Sequence, residues 1–497
     1  MTNALSRRHL LRNAAAGAAV VGWCAVSGSW VTAGASPAPS VDPVPQLDGS
    51  LETSAAVLAR FSTDFGDLVD ATPKAVLRPG SVQDIVKMVK YARRNGLKIA
   101  VNGQSGTGDD LESHSNYGQA AVPGGISIDS KGLSAIHSIG PDGADVDAGV
   151  AWSTLVDAAL AKGLTPPSLT DYIRLSVGGT ISIGGIGGTV QKYGLQCDTV
   201  QEIDVVTGEG RLVTASPTVR PDLFNAVVAG AGQCGIIVRA RLKLVPAPAK
   251  VRVFELRYHD LATYLADSEK LLRDGRFTHQ EGQIARKADD SGWDYTIEGG
   301  AYFTPPTAPD DAALLAGLHD DRAAIQVQEI DYRDWAFRLD AFEQSLKAGN
   351  FWHQPHPWLS LIVPASKVRQ LADSVLAEVK GADLGVGFCF LYPFYTSKLT
   401  RPLFALPEPA EPVAYLFDLL RLPVPNDPGI DRMLAQNRRF YDRAVALGAK
   451  RYLVGAVPGM GRSDWRRHFG RHWDGFAAAK RRYDPDYVLT PGQGFFA

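Results

Sequence analysis

The stretch TDYIRLSVGGTISIGGIGG, Thr170 to Gly188, sets six glycines within eleven residues behind a single carboxylate, Asp171. A backbone with so few Cβ atoms can approach a bulky polar ligand closely. Its N–H groups can bind a phosphate, and Thr180 and Ser182 can reach a pyrophosphate or a ring edge. The other reading is a glycine-rich turn between strands, with Asp171 as a cap or turn residue. The spacing is neither GxGxxG after a strand nor GxxxxGK[ST], so nicotinamide-binding Rossmann and P-loop readings lose support.

Upstream, Ala75 to Arg78 reads as a strand and Pro79-Gly80 as a turn. Ser81 is placed as an N-cap, with Asp84 in a capping-box position. Ile85, Val89 and Ala92 recur at helical spacing, Asn95-Gly96 stops the helix, and Leu97 to Val101 forms a second strand. Further strands are expected at 126–129, 144–146 and 202–206, with a helix over 154–162. Ile236 to Val245 alternates apolar and basic residues, a half-buried strand with Arg239, Arg241 and Lys243 facing water. Beyond Pro246 the texture shifts to longer helices and aromatic-rich strands, and it returns to the earlier style near the end. There Trp465 to Arg482 reads as one amphipathic helix whose arginines alternate with acids, a solvated face. The division expected is 71–246 and 455–497 as one domain, with 247–454 inserted.

A chain of 497 residues exceeds one ordinary core. A net charge of −2 disfavours an electrostatic grip on nucleic acid or an acidic membrane, which leaves a small-molecule partner. Cys24, Cys197, Cys234 and Cys389 lack CxxC spacing, so no metal site is expected. Residues 1–35 read as a twin-arginine signal standing outside the fold. Arg7-Arg8 precedes an apolar run to Val26, and Ala33-Gly34-Ala35 offers a cleavage site, which implies export to the periplasm or beyond. Residues 36–70 read as a linker and N-terminal segment, and no other apolar run is long enough to span a bilayer.

The glycine stretch, from Ser168 to Ser182 with Gly185-Ile186, resembles the segment of cytokinin dehydrogenases that carries the catalytic aspartate and lines the flavin. Colinear matches follow at Ser113-His-Ser-Asn-Tyr-Gly-Gln-Ala120, Pro221-Asp-Leu-Phe224, Gly232-Gln-Cys-Gly-Ile-Ile237, His356-Pro-Trp-Leu359, Phe390-Leu-Tyr-Pro393, Tyr483-Asp-Pro485 and Pro491-Gly-Gln493. They cover nearly the whole sequence from Val76. The resemblance implies an α+β fold of the vanillyl-alcohol oxidase type. In it a two-part FAD-binding domain carries an inserted substrate cap built on an antiparallel sheet.

The resemblance assigns His114 as a covalent attachment point for the flavin. This protein has Ser113 where the family's motif has glycine, and Ser105 to Glu112 separate Gly103-Gln104 from the histidine. Gly106 and Gly108 are an alternative pyrophosphate loop. The other cofactor contacts implied are Gly103, Gln104, Ser113, Ser115, Gln119, Tyr172, Ser176, Gly178, Gly179, Thr180, Ser182, Ile186, Ile237, Tyr452, Thr490 and Gln493. Asp171 resembles the base that takes the N–H proton of a secondary amine, freeing the nitrogen lone pair to assist hydride departure to FAD. Glu281 and Trp358 resemble substrate contacts, with Ser360 and Tyr395 standing where asparagines are usual. The activity implied is oxidative cleavage of an N6-isoprenoid adenine to adenine and an aldehyde, with dioxygen or another electron acceptor reoxidising the flavin. The alternatives are another amine or alcohol on the same scaffold, or a flavin-containing binding protein without turnover.

Overall fold

The computed structural model describes residues 19–33, 41–107 and 110–497. Ala75–Arg78 and Ile99–Asn102 both pair in parallel with Ile126–Asp129, and the helix Val82–Arg94 crosses over between them. That helix buries Ile85, Met88, Val89 and Ala92 against Leu77, Ile99 and Ile128, the apolar stripe that its 3.6-residue spacing dictates. Asp84 does not close a capping box. It turns inward and its carboxylate accepts the backbone N–H groups of Asp48, Gly49 and Gly80, while Ser81 donates its hydroxyl to Asp48. These loop N–H groups outcompete the helix's own first turn for the acid.

The C-terminus completes the same sheet. The N–H of Ile99 donates to Val488 and that of Thr490 to Ile99, each at 2.9 Å. Lys480 and Asp484, buried 2.7 Å apart, hold the final turn by bonds to Gln233, Val488 and Leu489. The single helix expected over Trp465 to Arg482 is instead two, Arg462–Phe469 and Trp473–Tyr483. Gly470 between them adopts φ +49°, a left-handed conformation that ends the first helix.

A second sheet of five antiparallel strands runs in the order Ile136–Gly140, Gly143–Asp147, Ile236–Leu242, Val200–Val206, Leu212–Ala215. The third has eight, in the order Gln326–Asp331, Lys250–Tyr258, Trp293–Phe303, His279–Arg286, Phe388–Tyr395, Val413–Leu420, Leu359–Pro364, Lys450–Arg451. One face of this sheet is sealed by the helices Leu261–Asp274, Ala365–Leu376 and Ile430–Ala446. Along each strand alternate residues turn the other way. Ile362, Tyr392 and Leu416 therefore join the core of the five-stranded half, around Val177, Ile181 and Trp465. Among the described residues, no helix is long and apolar enough to cross a membrane. Cys197, Cys234 and Cys389 are buried and form no disulfide.

The N-terminus departs from its reading. Ser6 to Leu11 and Gly34-Ala35 lie outside the described residues, but Val20–Cys24 and Ser29–Thr32 form a hairpin that pairs with Val41–Pro43, inside the segment read as linker. Trp23 is buried in the first core, and Trp30 stacks on Tyr91 at 6.0 Å. An apolar run long enough for a signal also carries a strand's alternation, and here the tryptophans find a surface to cover. Trp23→Ala in the full-length protein is expected to lower the unfolding free energy by about 3 kcal/mol, measured by urea denaturation.

Candidate active site

Between the glycine stretch and the inner face of the eight-stranded sheet lies a cavity of about 840 Å³, within the range of small-molecule sites. One wall comes from the stretch itself. Ser176 caps the short helix Val177–Ile181 by accepting the N–H of Gly179, and Trp152 Nε1 donates to Thr180 Oγ1 at 2.7 Å. Gly184 and Gly185 turn with φ +130° and +77°, and the N–H of Gly185 donates to the Tyr452 hydroxyl at 3.3 Å. Gly103, Ser115, Gln119, Ser176, Gly178 and Gly179 line this wall, with Thr180, Ser182, Ile186, Ile237, Tyr452 and Thr490.

Two lining groups on this wall, Ser130 Oγ and Gln119 Oε1, are buried without a hydrogen-bond partner among the described residues. Buried polar atoms of this kind call for a polar ligand. Serine and threonine hydroxyls on a backbone nearly free of side chains suit the phosphates and ring edges of FAD, and these residues are the ones that would hold it. His114 lies on the same cavity, its ring stacked on Phe65 at 4.5 Å and 5.2 Å from Tyr172.

The opposite wall carries charge inside an aromatic frame. Arg338 Nη2 donates to Asp171 Oδ1 at 2.5 Å and lies 3.9 Å from Glu281 Oε2, with the guanidinium 4.2 Å above the Trp335 ring. Burial pushes the Glu281 carboxyl well up, and Asp171 beside it adds to the rise against the pull of Arg338, which favours its protonated form. For Arg338 burial acts downward, but Asp171, Glu281 and Glu298 outweigh it and hold the guanidinium above its ordinary value. Tyr172 donates to Glu343, and Trp358 stacks on His356 at 5.3 Å. Burial lowers His356 to about 4, which leaves a neutral ring against the cavity.

Several assigned residues do not line the cavity. Gln104 and Ser113 sit in the two arms of a hairpin, Gln104–Thr107 with Asp110–Ser113. Gln104 turns its amide to Asn102, and the Ser113 hydroxyl accepts the N–H of Ser115. Gly106 lies in that hairpin rather than in a pyrophosphate loop, and Gly108 falls outside the described residues. Gln493 stands behind the wall, where its carbonyl accepts Trp465 Nε1. Tyr395 is an odd residue of a strand whose even residues, Phe388, Phe390 and Tyr392, face the cavity, so it points away and its hydroxyl reaches Leu272. Ser360 is wholly buried beneath Asp418, to which it donates at 2.6 Å.

Arg338, Glu298 and Asp418 were missed. Only Asp418 left a sequence signal, an acid set in the apolar strand AYLFDLL. It lines the cavity between Leu416 and Leu420, and burial raises it to about 7 although the Ser360 hydroxyl pulls it down. His279, Glu281 and Glu298 also bring three ligand-type atoms within 4.8 Å, where the sequence suggested no metal site.

The two-part fold and this cavity define an FAD-linked oxidoreductase. A profile described as "FAD binding domain" matches residues 73–216, and one described as "Cytokinin dehydrogenase 1, FAD and cytokinin binding" matches 287–496. The protein is 34% identical over 500 residues to "Cytokinin dehydrogenase 1" of Oryza sativa subsp. japonica, covering 90% of its own length and 92% of the relative. It is 32% identical to "Cytokinin dehydrogenase 2" of Arabidopsis thaliana, covering 92% of its own length and 95% of the relative. Against "Uncharacterized oxidoreductase ORF5 in fasciation locus" of Rhodococcoides fascians it is 37% identical, covering 90% and 99%. The chain belongs to the cytokinin dehydrogenase family. Its fold also matches the crystal structure of 6-hydroxy-D-nicotine oxidase from Arthrobacter nicotinovorans, with a TM-score of 0.68 at 21% identity, over 89% of this protein and 96% of that one.

Asp418 gives a test of the electrostatics. Its folded value lies above the unfolded one, so the folded protein binds more protons and loses stability as pH rises from about 4 to about 7. In Asp418→Asn that loss is absent. The melting temperature of the variant relative to the wild type is therefore expected to climb across this window and level off above it, measured by thermal melts at fixed ionic strength.

Proposed function

We propose that the enzyme oxidises the C–N bond that joins the isoprenoid group to the amine of N6-isoprenoid adenines, yielding adenine and an aldehyde. The observation that carries this reading is the position of Asp171, tied to Arg338 and beside Glu281, whose carboxyl burial pushes up, where the glycine wall meets the aromatic wall of one cavity. The cytokinin-binding profile and the names of the plant relatives favour the adenine substrate.

FAD, when bound, supplies the two-electron acceptor that takes hydride from the carbon beside the amine nitrogen. The rest falls to the protein. Arg338 fixes the Asp171 carboxylate, which accepts the amine proton so that the nitrogen lone pair assists hydride loss. Glu281 is the buried carboxyl that flanks this acceptor, and the charge of Asp171 adds to its rise. Phe388, Phe390 and Tyr392 exclude bulk water from a flat apolar substrate. The substrate has then lost hydride and a proton, and water adding across the resulting C=N bond releases adenine and the aldehyde. Dioxygen or another acceptor recovers the electrons. The paired arginines Arg7-Arg8 support export in the folded state.

A second reading, another amine or an alcohol on the same scaffold, is favoured by Asp418, a cavity carboxyl bonded to the Ser360 hydroxyl at its base. Anaerobic addition of isopentenyladenine is expected to bleach the flavin absorbance within seconds to minutes. Binding without bleaching would make the protein a sequestering one, and no response would point to a different substrate. Asp171→Asn is expected to keep its flavin while reduction slows about 100-fold or more. An unchanged rate removes Asp171 from the chemistry.

His114 on the cavity wall beside Ser115 and Gly103 supports a covalent flavin bond there. Acid precipitation is expected to leave the yellow colour in the protein pellet, and FAD in the supernatant refutes the bond.

A further inference from the structure

In the strand His279–Arg286 the side chains of His279 and Glu281 share one face. Glu281 pairs directly opposite Glu298, and Glu298 directly opposite Glu255, so three glutamates form a row across adjacent strands. Like charges in that position repel. The histidine relieves the repulsion. Its Nε2 lies 3.1 Å from Glu298 Oε1 and 3.6 Å from Glu281 Oε2, so both carboxyls meet one nitrogen atom.

The two carboxyls are shifted in opposite directions and differ in exposure. Both line the cavity, where Glu281 has a side chain 5% exposed and Glu298 one 32% exposed. Burial pushes Glu298 up, but the His279 bond and the charges of His279 and Arg338 outweigh it and hold the carboxyl below its ordinary value. The imidazole is itself buried, edge-on to Trp335 at 5.0 Å. It occupies space that Gly188 leaves open: a Cβ there would fall 2.2 Å from the ring. The last glycine of the stretch therefore makes room for this histidine. Arg338 already supplies the positive charge that a bound cation would bring to the cluster.

We infer that His279 is a proton relay, carrying the proton gained by the Asp171–Glu281 pair to Glu298, the more exposed carboxyl of the same cavity. The inference rests on the proposed role of Asp171 as proton acceptor. The transfer balances at each atom. The Nε2–H bond, which already faces the Glu298 carboxylate, breaks as that carboxylate takes the proton, and Glu298 gives it to water in the cavity. The lone pair left on Nε2 then takes the proton of Glu281 as its O–H bond breaks. Glu281 recovers its proton from Asp171, and both return ready for the next substrate. The relay acts through Glu281 and touches no substrate.

Two measurements test it in the holoenzyme. In anaerobic stopped flow with isopentenyladenine, repeated turnover with an added electron acceptor is expected to fall about 100-fold in His279→Gln, with the substrate dissociation constant within about twofold and with partial recovery in added imidazole. Glu298→Gln, at the shallower position, is expected to show the same pattern should the first variant fold poorly. A loss confined to substrate affinity, or one that imidazole does not relieve, marks a packing role and overturns the relay.

The second measurement needs no substrate. In 15N-histidine-labelled holoenzyme the Nε2 resonance of His279 is expected to shift in both Glu281→Gln and Glu298→Gln. Indifference to either substitution breaks the relay at that link whatever the enzyme oxidises. An absence of bleaching with normal NMR coupling would instead fault only the substrate proposed above.

Discussion

One guanidinium holds the active site together. Asp171 comes from the glycine-rich half of the protein, Glu281 and Glu298 from the antiparallel sheet, and all three carboxyls crowd around Arg338. Burying an arginine is costly unless its charge and its donors are met. Here the acids meet them, and Trp335 covers the remaining face. The contact between Arg338 and Asp171 also joins two segments 167 residues apart in sequence at the cavity, beside the Tyr172–Glu343 bond. One positive charge for three acids leaves a surplus, and the upward push on Glu281, which favours its protonated form, works against it. The same imbalance that makes the cluster hard to bury makes it a place where protons can reside.

The glycines of the opening stretch serve closeness more than flexibility. A Cβ at Gly178 would meet that of Ala148 at 2.8 Å, and one at Gly185 would meet Gln196 at 2.1 Å. Some of these positions let the backbone face the cavity, as Gly178 and Gly179 do. Others, Gly185 with its positive φ and Gly188 under the His279 ring, let neighbouring segments press against the back of the stretch. A reading of the glycines as a bed for a flavin describes only the front of the wall. Its back is a close-packed joint to the sheet, which is why the site's charged groups can be held within hydrogen-bonding distance of it.

Punctuated local structure was legible in the sequence. Pro79-Gly80, Asn95-Gly96 and the apolar spacing between them mark a strand, a helix and a strand, and the structure has them in that order. The order of motifs pointed to the FAD fold and to a cavity bordered by Asp171, Glu281 and Trp358. Register was not legible. Tyr395 and Asp418 both sit in aromatic strands, and only cross-strand pairing decides which one faces the cavity. Arg338 had no motif because its role comes from folding a distant helix terminus over the glycine stretch. At the N-terminus, tryptophan-rich apolar residues satisfy a signal's hydrophobicity and a hairpin's alternation equally, and composition does not separate the two.

The positions where the family's asparagines are absent then take different meanings. Tyr395 cannot affect recognition by contact, since its side chain leaves on the helix-covered face and reaches Leu272. Ser360 acts at one remove. It faces Asp418 directly across the strand pair and donates to one carboxyl oxygen. Serine and aspartate thus form a unit in which the hydroxyl fixes the acid's orientation and the acid presents its polar edge to the cavity between two leucines. An amide would offer a fixed donor and acceptor, whereas a carboxyl that titrates near neutrality can accept from a ligand N–H or donate to a ring nitrogen as its proton comes and goes. With serine on the strand Leu359–Pro364, the polar group at this part of the pocket is therefore carried by its neighbour Val413–Leu420, through Asp418.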